Sequence, residues 1–271
     1  MPEASSIVLS INGVDARVTT DSRQIVDNET EDLQPGQVPL STIVESTLFR
    51  NWTTSIKIGY TLTKVVVKAV TMFGPRVGFL YIEADITDFE GRKLPGVVFL
   101  RGDSVAMLVE LRTLSNRYAL LVRQARTPAG GAIYETPAGM LDDSGDFKGV
   151  AFTELADELP ALKGMFTLER ERVTRLHTEP VWMSPGGCDE RMGFFHLLIE
   201  TTDEEIQRLH GSVGGLDQEG EYLVAAVVPW EQLSSIPDAK LLIALALLGE
   251  NTVRRNLAVR GRSFFDGSFK Q

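Results

Sequence analysis

The sequence predicts an α/β protein, an α/β/α sandwich preceded by a small antiparallel β-domain. Two observations point there. Between Ile56 and Leu100 the chain is strand-patterned and broken by turn residues. After Ser104, strand-like runs alternate with segments of helical spacing, which places helices on both faces of one sheet.

The elements follow in order. Residues 1–48 read as a polar lead, loosely ordered or a short hairpin, with the acidic run Asp27–Asp32 and the turn Pro35-Gly36. Lys64–Val70 and Val77–Asp85 are rich in Val, Ile, Phe and Tyr and are split by Phe73-Gly74-Pro75. Val97–Leu100 follows Pro95-Gly96. These strands make residues 49–100 a β-rich domain. Residues 101–255 form the second domain. It opens with strands at Val105–Leu111 and Tyr118–Arg123, joined by Leu114–Arg117. A Gly-rich turn (Pro128–Gly131), a strand at Ala132–Glu135 and a loop at Pro137–Gly139 come next. Lys148–Leu159 has helical spacing, and Arg170–Leu176 and Gly193–Ile199 read as strands. Ser212–Gly220 is a Gly-rich acidic loop, Glu221–Pro229 a strand and Asp238–Asn251 a helix. Residues 256–271 read as a tail.

Composition excludes several classes. Hydrophobic residues are 43% and charged residues 24% of 271, an ordinary globular mix, long enough to bury a core without staples. A single cysteine, Cys188, rules out an intrachain disulfide. A net charge of −10 argues against a nucleic-acid partner, which demands a basic face. It leaves room for a small phosphorylated ligand held by a few arginines and a divalent cation. No apolar run approaches the roughly 20 residues of a membrane helix. The acidic, unbiased N-terminus lacks the pattern of a secretory or transit segment, so a cytoplasmic protein is expected. His177, His196 and His210 show no zinc spacing and are expected to be structural.

The chemistry concentrates in Lys148–Leu159. At about 100° per residue, Glu154, Asp157 and Glu158 share one arc, while Phe152, Leu155 and Leu159 lie on the other side. Val150 falls among the acids, so the separation is imperfect. Such an arc is either a solvated face or a hard-cation site, since Mg²⁺ takes carboxylates together with substrate phosphates.

Gly139 through Ala161 resembles the Nudix box, G-x5-E-x7-R-E-U-x-E-E-x-G-U. Gly139 opens it, Glu154 and Leu155 fill E-U, and Glu158 fills the second glutamate of the E-E pair. Asp157 replaces the first, Gly145 and Thr153 stand where the box has glutamate and arginine, and Pro160 replaces the late glycine. Losing both members of an ion pair orphans no charge. Residues 97–143, with Leu-Val-Arg-Gln-Ala-Arg and Pro-Ala-Gly, together with Ser184–Arg191, are similar to the ADP-sugar diphosphatase branch of Nudix hydrolases. That branch includes the ADP-ribose, ADP-glucose and UDP-glucose pyrophosphatases. The likeness runs from about Phe49 to Leu248.

The resemblance implies roles. Glu154, Asp157, Glu158 and the Ala138 carbonyl map to Mg²⁺ or Mn²⁺ ligand positions, Asp157 with a shorter reach. Arg126 maps to a phosphate-binding arginine, Arg101 is a weaker candidate of the same kind, and Glu190 faces the metals or the sugar. Glu221, with Glu219 second, stands in the loop that supplies the general base, and Glu158 is counted with the catalytic group. Cys188 is read as packing. The implied reaction splits a nucleoside diphosphate sugar into a nucleoside monophosphate and a sugar phosphate. The implied assembly is a homodimer through residues 56–100, whose strands would otherwise expose apolar surface. The box departures motivate an alternative, a catalytically weakened domain that binds a nucleotide or a partner protein. A third reading, another diphosphate such as a dinucleotide or coenzyme A, is disfavoured by Ser184–Gly187 and the preceding β-domain.

Overall fold

The structure, a computed structural model, describes residues 6–26, 36–141, 172–214 and 222–259, with side chains as far as Thr252. The chain is mixed α/β and divides into two compact units. The first comprises Met1–Asp103 with Trp182–Arg191; the second comprises Ser104–Val181 with Met192–Gln271.

In the first unit, β1 (Ser6–Ile11) and β2 (Val14–Thr20) form a hairpin, and the short strands β3 (Ile25–Val26) and β4 (Val38–Pro39) pair in parallel. Two helices follow, α1 (Leu40–Glu45) and α2 (Thr47–Ser55). Ser46 caps α2, its Oγ accepting from Phe49 N at 3.2 Å, which satisfies one of the helix's orphan donors. The long strands β5 (Thr61–Phe73) and β6 (Arg76–Thr87) and the shorter β7 (Val97–Leu100) complete a sheet of order β1-β2-β5-β6-β7. The β5–β6 turn falls at Gly74-Pro75, with Phe73 opposite Arg76.

This sheet draws in residues 6–20, set apart above as a lead, and its β2–β5 pairing is parallel. Parallel neighbours need a long crossover, and the connection carrying α1 and α2 supplies it. Leu40, Ile43 and Phe49 from the helices are buried with Val65, Val67, Leu80 and Ile82 from the sheet. Gly96 has a packing reason: a Cβ there would stand 1.8 Å from the Ala84 carbonyl oxygen, whose residue pairs with it through Ala84 N–H to Gly96 O at 2.8 Å.

The second unit is built on a mixed sheet. Its strands include β8 (Ser104–Arg112), β9 (Arg117–Arg126), β10 (Gly131–Glu135), β11 (Ala138–Met140) and β12 (Thr174–Arg175). After β13 (Val181–Trp182) come β14 (Arg191–Glu200), β15 (Val213–Gly214) and β16 (Leu223–Pro229). The sheet order is β12-β14-β8-β9-β16-β15, with β10 on β9 and β11 on β8. β14 runs parallel to β8 and the other neighbours along that path are antiparallel. Central β8 is buried along nearly its whole length, as a strand covered on both faces must be. Val105, Met107, Val109 and Leu111 pack in one cluster with Phe195, Leu197, Ala225 and Leu209 of helix α3 (Asp203–Leu209). Helix α4 (Ala239–Val259) packs against β8 and buries Leu241 and Ala244 outside that cluster.

Two expectations change. Pro137–Gly139 is not simply a loop, because Ala138–Met140 pairs antiparallel with β8, Ala138 opposite Ala106 and Met140 opposite Ser104. Of the strand expected over Arg170–Leu176, the described residues from Arg172 onward are strand only at Thr174–Arg175, which pairs with Phe195 and His196. The helix Lys148–Leu159, most of the Ser212–Gly220 loop and Asp27–Asp32 lie outside the described residues.

Candidate active site

In the second unit the site grows from the β9–β10 hairpin. Thr127–Ala129 make a 3₁₀ turn that closes on Gly130 at φ 71°, a left-handed conformation that suits glycine. The hairpin register sets Glu135 opposite Val122, at the inner end of β10. Its carboxylate is buried, 2% exposed, and is shared between two cations. Oε1 accepts from Arg126 Nε at 2.7 Å and Oε2 from Lys240 Nζ at 2.6 Å. A buried carboxylate in this position is tolerable because it is doubly paired.

Asp238 ties the next residue to the start of α4. Its Oδ2 accepts from Thr136 N at 2.8 Å and Leu241 N at 3.3 Å, and its Oδ1 from Lys240 N at 3.2 Å. Lys240 Nζ also lies 3.3 Å from Asp238 Oδ1. Pro137 O then accepts from Met107 N at 2.9 Å, and Ala138 and Gly139 enter β11. The backbone from Glu135 to Gly139 is therefore pinned to α4 on one side and β8 on the other. Thr136 Oγ1 is buried with no hydrogen-bond partner among the described residues.

In the first unit the structure brings Arg101 and Glu190 together, Arg101 Nη2 standing 3.5 Å from Glu190 Oε1. The Ser184–Cys188 turn lies along β7, with Phe99 N donating to Gly187 O at 2.8 Å. Its anchor is Asp189, whose Oδ1 accepts from Arg101 N at 2.7 Å and Gly102 N at 3.1 Å. Burial pushes the Asp189 carboxyl above the ordinary carboxylate range, although these backbone N–H groups pull the other way. Next to it, burial raises the Cys188 thiol, which suits packing rather than nucleophilic work. Arg191 forms a two-point pair with Asp103, at 3.0 and 2.6 Å, and its guanidinium lies 5.6 Å over the Trp182 ring.

A second buried carboxylate in the second unit, Glu110, joins Arg112 (2.6 Å), Arg117 (2.7 and 2.8 Å) and His196 (3.0 Å). Burial alone would raise its pKa; the bonds from His196, Arg117 and Arg112 outweigh it and hold the carboxyl well below the usual range. His210 Nδ1 accepts from Val227 N at 3.1 Å, and His177 Nδ1 sits at the backbone of Glu179.

Of the expected site residues, Arg126 and Ala138 lie in the second unit and Arg101 and Glu190 in the first. Glu154, Asp157, Glu158, Glu219 and Glu221 lie outside the described residues. Among the described residues no group of three or more His, Cys, Asp or Glu could hold a metal ion. Sequence reasoning missed Glu135, Asp189, Asp238 and Lys240. Two signals were available: a carboxylate ending the apolar strand Ala132–Glu135, and an aspartate directly before a helix, where side chains cap backbone donors.

Known proteins bear on this arrangement. The chain is similar to "Nudix hydrolase 14, chloroplastic" of Arabidopsis thaliana, 38% identical over 222 residues that span 75% of this chain and 70% of that protein. It is also similar to a solved structure described as the crystal structure of ADP compounds hydrolase, with a TM-score of 0.49 and 19% identity, over 75% of this chain and 97% of that one. No family model matches the chain. Among the described residues no helix is long and apolar enough to cross a membrane. At 38% identity over that share of the Arabidopsis protein, the chain belongs to the Nudix hydrolases.

Proposed function

We propose that the chain hydrolyses the diphosphate bond of a nucleoside diphosphate sugar (ADP-ribose, ADP-glucose or UDP-glucose), giving a nucleoside monophosphate and a sugar phosphate, with Mg²⁺ or Mn²⁺ as cofactor. The observation that carries this is the placement of Arg126. It is held at Nε by buried Glu135, and the same buried carboxylate leads through a pinned turn into Ala138 and Gly139, where the box opens. A guanidinium held on the hairpin that leads into the start of the box suits an anionic diphosphate, and the carboxylates expected further along the box suit a cation.

The cation's proposed donors are the Ala138 carbonyl and the carboxylates of Glu154, Asp157 and Glu158, all oxygens, a set that fits a hard ion. When bound, the ion neutralises charge on the diphosphate oxygens. Arg126 binds a phosphate oxygen, Arg101 is a second candidate for the same task, and Glu190 faces the metal or the sugar. Glu221, with Glu219 second, takes a proton from the attacking water as its oxygen bonds to phosphorus and the bridging P–O bond breaks. In this reading residues 101–255 are the catalytic domain. Residues 49–100 form a homodimer, supported by a half-exposed row of apolar side chains on β5–β7: Phe73, Tyr81, Val97 and Phe99. The compartment read from the sequence is the cytoplasm.

The test is product analysis of ADP-ribose, ADP-glucose and UDP-glucose with Mg²⁺ or Mn²⁺. The expected result is a nucleoside monophosphate from at least one, abolished by exhaustive chelation. Nucleotide binding with no product from any of them would instead establish the weakened, binding-only reading that Gly145, Thr153, Asp157 and Pro160 motivate.

A further inference from the structure

Carboxylates and guanidinium groups favour a two-point grip, each oxygen on its own nitrogen. Glu135 does not use it on Arg126. One oxygen takes Arg126 Nε at 2.7 Å, and the other is turned to Lys240 Nζ at 2.6 Å. Lys240 is itself steadied by Asp238 Oδ1, 3.3 Å away, and its side chain is only 15% exposed. Among the described residues Arg126 has no other ion-pair partner.

We propose that Glu135 and Lys240 are positioning residues for Arg126: Lys240 holds the second oxygen of Glu135, so the carboxylate steers Arg126 by Nε alone and leaves its two terminal amino groups to a phosphate of the substrate. The inference rests on Arg126 being a phosphate ligand. Charge supports it. A lone Glu135 would neutralise Arg126 and weaken its pull on an anion. With Lys240 present, Arg126, Lys240, Glu135 and Asp238 balance to zero, whereas without it Arg126 would face two carboxylates and the cluster would carry −1. Without Lys240, Oε2 would be available to an Arg126 terminal nitrogen, and the donor meant for phosphate would be spent inside the protein. Lys240 stands at the first turn of α4, so this helix sets how the hairpin arginine is presented.

The experiment compares the full-length chain with Arg126→Ala, Lys240→Met and Lys240→Arg. It titrates ADP in EDTA by calorimetry and measures KM and kcat for ADP-ribose with Mg²⁺, alongside Tm. Arg126→Ala should weaken ADP binding about 10–100-fold, the loss expected for hydrogen bonds to charged groups. Lys240→Met should weaken it about 3–10-fold and raise KM by a similar factor with kcat held, and Lys240→Arg should restore both to within about twofold. A merely structural lysine would lower Tm and leave ADP affinity and KM unchanged, which would overturn the proposal. If Lys240→Met does not fold, Glu135→Gln probes the same grip, and unchanged ADP affinity there overturns it equally. If Arg126→Ala itself leaves ADP affinity unchanged, Arg126 is no phosphate ligand and the proposal falls with that reading. If Arg126→Ala weakens binding while Lys240→Met does not, only the positioning role is overturned.

Discussion

Arg117 and Arg126 sit at opposite ends of the same strand with nearly equal side-chain exposure, 38% and 39%. Each pairs with a buried glutamate. Arg117 gives both Nε and Nη2 to Glu110 and lays its guanidinium face over the Trp230 ring, 3.3 Å from the centroid. Arg126 gives Glu135 only Nε. Exposure therefore does not separate a structural arginine from a candidate ligand-binding one. What separates them is how many donors the protein has already used. Glu110 collects donors from three strands, β8, β9 and β14, and locks the sheet. Glu135 divides its oxygens between two cations and leaves capacity over.

The comparison breaks first at Glu110. Glu110→Gln removes the charge that Arg112, Arg117 and His196 share. Stability should fall by about 3 kcal/mol, the order seen when one member of a buried ionic network is removed. Chemical denaturation checks this, and ADP affinity should not move. The acid limb sharpens it. The Glu110 pKa is lowered by folding, so its contribution is fully present above the unfolded carboxylate value of about 4.3 and is lost as pH falls below that toward the folded value. Wild-type stability should drop through this window more steeply than that of Glu110→Gln. Parallel curves would show that the network carries no such linkage.

The paired substitutions Arg117→Lys and Arg126→Lys come next. A lysine cannot supply two fixed donors or a stacking face. Arg117→Lys should cost about 1–2 kcal/mol of stability with ADP affinity intact. Arg126→Lys should leave Tm within a few degrees and weaken ADP binding about tenfold. The opposite pattern would reverse the roles assigned to the two arginines. The smallest effect belongs to Arg112→Ala. Its side chain is 45% exposed and adds a third donor to a carboxylate already held, so a loss of about 1 kcal/mol or less is expected in denaturant titration.

Much of this framework was legible in the sequence, and what was not has a common cause. Apolar, strand-forming runs bounded by turn residues gave β5, β6, β8 and β14, and Phe73-Gly74-Pro75 marked the β5–β6 turn, because strand composition and turn chemistry are local. The parallel β2–β5 pairing was hidden, since nothing in Asp15–Thr20 records which distant strand it will meet. Helices α1 and α2 are short and lie in a polar stretch, and tertiary burial of Leu40, Ile43 and Phe49 fixes them. At the site, Arg126 could be named from its motif. Its grip by Glu135 is a hairpin contact, and the decisive third partner, Lys240, comes from a helix 105 residues further on. A motif can name a candidate ligand residue, whereas the residues that hold that candidate come from the fold.

The central claim is that the acidic arc beginning at Glu154 works on a diphosphate through a bound cation. Glu158→Gln tests it most directly, since the substitution keeps shape and removes one charged ligand. The account predicts that kcat with Mg²⁺ falls about 10²–10³-fold. The apo Tm should hold or rise, because the helical spacing expected of the sequence would set Glu154 and Asp157 near Glu158 and the substitution would relieve their repulsion, and the stabilisation that added Mg²⁺ gives should shrink. An active wild-type enzyme whose full rate survives Glu158→Gln would contradict it.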